Sequence, residues 1–389
     1  MRRWQAGLLA GALVLAVAGC DFRGGSASVT TGGTTASASV ANSVAASSSS
    51  ATATAAPAVP TPSAPSTSGQ LRVLLHDDFP VASNAFLGVI AAEAPDGSVF
   101  ATFGSQPSGV PSTAAGTAVY VVDGNTPAQV AEHPAIPVTA LAADDTFLYA
   151  GGGTQIIEYS RATGSVVRTW NLAAPVRLMT VAAGLLWAVL GGTSGPGQVV
   201  EMNPDASTVT TVGTDAASVY AVAAGPLGLY YVPAGGTTIV HISATGQRVQ
   251  APTHQAINEQ LSGADAVQAI SVIDGQLLLV TDFGQGMDSV SRTYDASTLA
   301  GPQTDAPGTA DSDRAIDSLA GPVDLGLGDS RACSGSGSVP CVGRFNLSTG
   351  AVSDAVTFPG SARLGLLLGP YPVAIVFPAS GSVYLDRIG

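Results

Sequence analysis

The chain has 389 residues, of which 14 are basic and 27 are acidic, and every basic residue is Arg. Apolar residues make up 46% of the chain, which is enough to build a core and excludes disorder throughout. Gly occurs 47 times and Pro 25 times, which argues against an all-helical protein. The formal net charge of -13 repels phosphate backbones, so nucleic acid is a poor partner.

The first 19 residues have the organisation of an export signal. Arg2 and Arg3 form a positive start, and residues 6–18 are an apolar run. A membrane-spanning helix needs about 20 apolar residues, so this shorter run predicts a secretory signal peptide. The small residues at 17–19, followed by Cys20, resemble the lipobox of bacterial lipoproteins. That resemblance implies cleavage before Cys20 and attachment of diacylglycerol, with palmitate-type acyl chains, to its sulfur. An ordinary signal peptide followed by a chance Cys is the alternative.

Residues 20–68 are predicted to be a disordered tether. They are almost wholly Ser, Thr, Ala, Gly and Pro, which bury too little apolar surface to offset their ordering entropy. Cleavage after residue 19 removes two Arg and leaves 12 basic against 27 acidic residues, a net charge of -15. An anionic bilayer therefore repels the mature chain, and the lipid must anchor it. The sequence predicts a protein held at the cell membrane on its extracytoplasmic side, at the cell surface or in a periplasm.

Two markers alternate seven times between residues 69 and 389. The first is a short strand followed by a polar turn, and the second is a tight turn followed by an apolar strand. Asp-Gly, which occurs in the second marker, is a strong hairpin signal. Each unit therefore contains two hairpins and four antiparallel strands. The first marker's last strand residues are Val122, Tyr159, Met202, Ile242, Tyr294, Phe345 and Leu385. The second marker's turns start at Asp96, Asp144, Ala183, Gly225, Asp274, Gly321 and Gly369.

Four antiparallel strands in a period of about 46 residues (321 divided by seven) are typical of a β-propeller blade. The last unit ends on its third strand, at 382–386, while an extra strand at 71–75 precedes the first unit. We expect the strand at 71–75 to complete the last blade, which closes the ring and removes an exposed sheet edge. An all-β, seven-bladed propeller is predicted for 69–389. Six or eight blades, a sandwich and a β-helix are the alternatives.

The second unit resembles the repeats of quinoprotein-like and YVTN-type propellers. The resemblance is carried by FLYAGG at 147–152 and EYSRATGSVVRTW at 158–170. It supports the fold far more than any activity. Quinone-dependent dehydrogenases of this kind often carry two adjacent Cys residues that stack on the cofactor. Cys333 and Cys341 are eight positions apart instead, so no cofactor is predicted.

Cys333 and Cys341 are predicted to form a disulfide. An exported protein favours this bond, and Cys20, the one other Cys, is assigned to lipid. The Ser- and Gly-rich segment between the two residues is flexible enough to close, and the bond would stabilise the fold by about 2–3 kcal/mol. Two free thiols or a metal site are the alternative, although no His lies nearby.

Long connections are predicted on one face of the ring, where the innermost strands begin. They are 104–116, 247–264, 301–313 and 333–341. Insertions gathered on one face mark the binding surface of many repeat proteins, whereas the alternative is neutral drift in loops. Charged residues near the starts of inner strands form a candidate site for a small polar or anionic ligand. They are Arg177, Asp265, Arg314, Asp317 and Arg363. The alternative is that these side chains pair with one another.

Recognisable catalytic chemistry is absent from the sequence. The four His residues show no zinc-ligand spacing, and His241, which lies in a strand, is interpreted as a structural imidazole. We therefore expect a monomer that binds a small polar ligand or an unknown protein, without catalysis, metal or cofactor. A propeller lyase or lactonase that uses the channel is the alternative, and a scaffold for envelope protein assembly is a third possibility.

Overall fold

The computed structural model describes 18 segments of the chain, all within 71–389. They are 71–83, 87–105, 119–122, 128–131, 136–191, 197–216, 222–233, 238–253, 266–273, 275–282, 290–302, 304–307, 312–316, 323–326, 340–346, 352–359, 362–368 and 372–389. None of these residues forms a helix, so none offers an apolar helix that could cross a bilayer.

The described residues form 28 β-strands. The first sheet contains β2 (Leu87–Glu93), β3 (Val99–Ser105), β4 (Val119–Val122) and β5 (Ala128–Ala131). The second contains β6 (Ala140–Ala143), β7 (Phe147–Gly152), β8 (Gln155–Ser160) and β9 (Val166–Asn171). The third contains β10 (Val176–Ala182), β11 (Leu185–Leu190), β12 (Gly197–Asn203) and β13 (Thr208–Ala216). The fourth contains β14 (Val222–Gly225), β15 (Gly228–Tyr231), β16 (Thr238–Ser243) and β17 (Arg248–Pro252).

The remaining strands make three further sheets. The fifth contains β18 (Ala266–Ile273), β19 (Gln276–Asp282), β20 (Val290–Asp295) and β21 (Thr304–Pro307). The sixth contains β22 (Ser312–Ile316), β23 (Val323–Gly326), β24 (Cys341–Phe345) and β25 (Val352–Thr357). The seventh contains β26 (Arg363–Leu368), β27 (Val373–Phe377), β28 (Ser382–Ile388) and the first strand of the chain, β1 (Val73–Ala82). Within every sheet, neighbouring strands are antiparallel and follow the order of the chain, except that β1 pairs with β28.

The N-terminal strand lies on the outer edge of the C-terminal sheet. His76 faces Asp386 in this ladder, and Asp78 faces Tyr384. The strand runs from Val73 to Ala82, seven residues beyond the predicted segment 71–75. Its central segment, HDDFP, begins with three polar residues and ends in Pro, which concealed the extension in the sequence. The innermost strands contact one another in the order β2, β6, β10, β14, β18, β22 and β26, and β26 contacts β2. We call the space that these inner strands surround the central channel.

The hydrophobic core lies between neighbouring sheets. One cluster joins the second and third sheets and includes Tyr149 and Met202, both fully buried. Another joins the seventh and first sheets through Phe79, Val99 and Val373. A fully buried large apolar side chain contributes about 1.5–3 kcal/mol. Packing between sheets is therefore what fixes each sheet beside the next.

Two of the predicted insertions contain outer strands, so their prediction as uninterrupted connections was wrong. β17 lies within 247–264 and β21 lies within 301–313. The side chains of β17 alternate between exposed and partly buried, because an outer strand packs on one neighbour only. Such a strand carries little hydrophobic signal in the sequence. Residues 106–118, 254–264, 303, 308–311 and 333–339 lie outside the described residues.

Candidate functional site

The central channel has two ends that differ in construction. At the turn end, the inner strands stop in tight hairpin turns such as Asp96-Gly97 and Ala183-Gly184. At the entry end, the inner strands begin after connections from the preceding sheet. Each end presents a different set of groups to the channel, and each is a separate candidate site.

A pocket of about 440 Å³ lies at the turn end. The last residues of β2, β6, β10 and β14, together with the turns that follow them, form its wall. The lining residues are 91–93, 141–143, 179–183 and 224–226. This volume is within the range of small-molecule sites, about 300–1,000 Å³.

Alanine dominates the wall of the pocket. The four inner strands of the wall have Ala-Ala pairs at or next to their ends, at 91–92, 142–143, 182–183 and 223–224. Each inner strand is hydrogen-bonded to one neighbour, so its other edge presents backbone N–H and C=O groups toward the channel. Short alanine side chains leave those groups accessible. Glu93 and Thr180 supply the polar side chains of the described wall. The pocket therefore suits a polar group that hydrogen-bonds to backbone and carries no negative charge.

The entry end is marked by irregular pairing in four of the inner strands. In β10, Val176 pairs with Leu190 and Leu178 pairs with Val189, which leaves Arg177 between them without a ladder partner. Such β-bulges re-aim side chains and are frequent beside functional sites. Comparable shifts leave out Gln268 in β18, Asp313 and Arg314 in β22, and Gly365 and Leu366 in β26. Several polar residues thus occupy bulges at one end of the channel.

The structure describes some of the residues predicted for the entry end. Arg177 is the second residue of β10, and its side chain is partly buried. Arg314 lies in β22 and Arg363 begins β26, whereas their side chains are outside the described part. Asp265 and Asp317 are outside it as well. Because β22 ends at Ile316, Asp317 follows this strand, although the sequence analysis placed it near the strand's start.

The predicted cysteine sites fall mainly outside the described residues. Cys20 and Cys333 belong to that part of the chain. Cys341 is the first residue of β24 and is completely buried. The lipid attachment and the disulfide stay predictions.

Sequence reasoning missed a buried polar network in the second sheet. Glu158 is 1% exposed and lies between Tyr149 and Arg168 in the ladder. Its Oε2 is 3.6 Å from Nε of Arg168, whose guanidinium also lies over the ring of Trp170. Burial raises the pKa of Glu158, and Arg168 partly opposes this shift. Burial also raises the pKa of Tyr149, whose hydroxyl donates to Asp144. The network spans three strands and faces a neighbouring sheet. This position indicates a structural role.

The surroundings of His241 agree with its interpretation as a structural imidazole. Its ring stacks on Tyr230 at 4.4 Å, and Nε2 lies 3.2 Å from the carbonyl oxygen of Leu227. Burial lowers the pKa of His241, which favours the neutral imidazole. Within the described segments, no three His, Cys, Asp or Glu side chains group in a way that could hold a metal ion.

Comparison with solved structures establishes the architecture. A β-propeller domain of Cps50 (Swd1) from Myceliophteria thermophila superposes with a TM-score of 0.50 and 11% identity, over 82% of this chain and 99% of that one. The fold is a β-propeller. A chain of a mitotic checkpoint complex gives a TM-score of 0.53 and 16% identity, over 86% and 98%. The WD40 domain of Toxoplasma gondii coronin gives 0.49 and 12%, over 82% and 88%.

The comparisons define no family for this propeller. No protein-family model matches the chain, and no curated protein matches it significantly. At such low identities the similarity concerns the fold alone.

Proposed function

We propose that the protein is a cell-envelope, seven-bladed β-propeller that is anchored by lipid at Cys20 and binds a polar ligand or a protein partner. Seven four-stranded sheets among the described residues, and the pairing of β1 with β28, support the blade number and a closed ring. The lipobox and the Ser-, Thr- and Ala-rich segment 20–68 support the anchor and the tether. The propeller then stands away from the membrane with its channel accessible.

The pocket at the turn end carries the binding function. Its described wall contains one titratable side chain, Glu93, among backbone groups and alanines. Acid–base catalysis commonly uses a second positioned group, so this wall favours binding over reaction. A carboxylate at the rim, in a chain of net charge -13, favours a neutral or cationic group of the ligand or partner.

The pocket can be tested by site-specific photocrosslinking in intact cells. A photoreactive residue at Pro226, which is exposed and lines the pocket, should give a discrete crosslinked product. The same residue at Asp205, exposed in the β12–β13 turn, is the control position. Glu93→Gln should weaken the product at Pro226, whereas Asp205→Asn should not. Equal crosslinking at both positions, or no effect of Glu93→Gln, would argue against the pocket as the binding site.

The anchor is tested separately. Cys20→Ala should prevent lipid attachment and move the protein from the membrane fraction to the soluble exported fraction. Metabolic labelling with a palmitate analogue should mark the wild type and not the variant. A Cys20→Ala protein that stays in the membrane, or a wild type that takes up no label, would contradict lipid anchoring at this residue.

A further inference from the structure

Arg177 occupies an unusual position for a charged residue. It is the unpaired residue of the β10 bulge, on an inner strand and at the entry end of the channel. Its Nη1 is shielded from water, and within the described part of the chain no hydrogen-bond partner reaches it. Burial lowers the pKa of Arg177, as expected for a cation removed from water.

The backbone acceptors next to Arg177 are already used by other donors. The carbonyl oxygen of Val176 accepts from Oγ1 of Thr139 at 2.9 Å. The carbonyl oxygen of Gly153 accepts from the N–H of Val176 at 2.7 Å, and that of Pro175 accepts from Gly191 at 2.8 Å. The local fold is therefore complete without the guanidinium. Among the described residues, Nη1 of Arg177 has no hydrogen-bond partner, although its burial costs free energy.

Arg177 also differs from Arg161 and Arg168, two other partly buried arginines of the propeller. Arg161 forms an ion pair with Asp96, and Arg168 lies beside Glu158. Both serve contacts within or between sheets. Arg177 lies on an inner strand, and no carboxylate of the described residues forms an ion pair with it. Such a cation is suited to an acceptor that arrives from outside the chain.

We propose that the entry end of the channel binds a small oxyanion, a carboxylate or phosphate group, through the guanidinium of Arg177. A guanidinium presents a planar set of N–H donors that matches the paired oxygens of these groups. Arg314 lies in the bulge of β22, another inner strand, and adds a second cationic residue to this end by its place in the register. The site is distinct from the pocket at the turn end and is independent of lipid anchoring.

Thermal unfolding of the full chain with increasing inorganic phosphate, and separately with succinate, tests this site. At a concentration 100-fold above the dissociation constant, the midpoint should rise by about 4 °C for a domain of this size. Above the dissociation constant, the shift should grow with the logarithm of the anion concentration, and it should weaken with added NaCl. A response to succinate alone assigns the site to carboxylates, and a response to phosphate alone assigns it to phosphate groups.

Three variants separate binding from a structural role. Arg177→Gln should lose the anion-dependent shift and, without anion, should unfold at or above the wild-type temperature. Arg177→Lys keeps the charge but lacks the planar set of N–H donors, so it should bind the anion at least 10-fold more weakly. This variant also tests the site if Arg177→Gln does not fold. Arg72→Gln changes the same charge at an exposed position and should respond as the wild type does. No shift with either anion, or an unchanged shift in both Arg177 variants, would overturn the proposal.

Discussion

Nδ1 of His76 lies 2.6 Å from Oδ1 of Asp386, across the ladder that joins the first strand to the last. The Asp386 side chain is 8% exposed and that of His76 is 52% exposed. The imidazole also contacts the ring of Tyr384, with 4.6 Å between the ring centroids. This cross-strand pair therefore supplies a partner for a buried carboxylate and adds a side-chain contact to the backbone ladder between β1 and β28.

Replacing His76 with Ala should destabilise the propeller. The change leaves the Asp386 carboxylate buried without its imidazole donor, and we expect a loss of about 1–2 kcal/mol in the free energy of unfolding. Urea unfolding at pH 7 measures this loss. His76→Gln offers an amide donor from a similar position and should recover part of it. Equal stability of His76→Ala and the wild type would show that the pair does not hold β1.

Asp386 should also make the stability depend on pH. Burial raises the pKa of its carboxyl above the usual value of 3.8, with a further rise from Asp78 and opposition from His76. The folded state thus binds this proton more tightly than the unfolded state does. The contribution of the Asp386 carboxyl to the free energy of unfolding is complete below about pH 3.8 and is lost as the pH rises through the raised pKa.

Asp386→Asn isolates this contribution from the other carboxylates. Its stability relative to the wild type should increase as the pH rises from about 3.8 through the raised pKa of Asp386, and should then become constant. Urea unfolding of both proteins across that interval provides the difference. Asp205→Asn, at an exposed position, should give a flat difference. A difference for Asp386→Asn that falls with rising pH would contradict a raised pKa.

Arg161 joins the second sheet to the first. Its Nη2 lies 2.6 Å from Oδ2 of Asp96 and 3.0 Å from Oγ of Ser98, and Nη1 donates to the carbonyl oxygen of Asp144 at 2.6 Å. Burial opposes ionisation of Asp96, but the hydrogen bond from Ser98 and the Arg161 pair outweigh it and lower the pKa of Asp96.

Arg161→Ala should cost about 1–2 kcal/mol of unfolding free energy. The bond to the Asp144 carbonyl should account for much of this, since Asp96 is half-exposed and its ion pair is screened. Arg161→Lys should lose nearly as much because an ammonium cannot reach all three partners. Arg72→Ala is the matched exposed control. Chemical denaturation of the three variants decides whether Arg161 links the sheets.

Two adjacent glycines should respond very differently to Ala. A Cβ on Gly152 would lie 1.8 Å from the backbone oxygen of Pro137, so the chain would have to move. At Gly153, φ is 51° and no atom lies within 4 Å of the added Cβ. Gly153→Ala should therefore cost about 1 kcal/mol from left-handed backbone strain alone, and Gly152→Ala several times more. Comparable thermal midpoints for the two variants would contradict this packing.

The predicted bond between Cys333 and Cys341 should protect both thiols. Under non-reducing conditions, a maleimide should not label the native protein at either residue, and reduction should lower the free energy of unfolding by about 2–3 kcal/mol. Cys333→Ser should expose the buried Cys341 to labelling only after unfolding. Labelling of the unfolded, unreduced wild type would disprove the bond.

The features that sequence reasoning predicted depend on local chemistry. Asp144 accepts backbone bonds from Thr146 and Phe147, and Asp295 accepts from Ser297 and Thr298. The side chains of Ser297 and Thr298 also bond to Asp295 and, with the backbone bonds, lower its pKa to about 2. The hydrogen bonds of such turns join residues only a few positions apart, so the sequence alone is enough to predict the turns.

The features that sequence reasoning missed depend on the register in which strands pair. Glu158 and Arg168 become neighbours because β8 and β9 pair in one register, and a shift by one residue would separate them. Likewise, the bulge at Arg177 is invisible in the apolar pattern of β10. Charge near the strand's start did mark Arg177 as a candidate, but its lack of a partner is a property of the folded chain.

The pairing of β1 with β28 also sets an order of events during synthesis. His76 and Asp386 are 310 positions apart, so the first strand to leave the ribosome finds its neighbour only when the last has been made. Contacts between residues so far apart in sequence form slowly, because the entropy cost of closing a long loop comes before the contacts can stabilise the chain. Until then the seventh sheet lacks its outer strand, and a nascent chain stalled before Ser382 keeps an unmatched N-terminal segment that chaperones and proteases can reach.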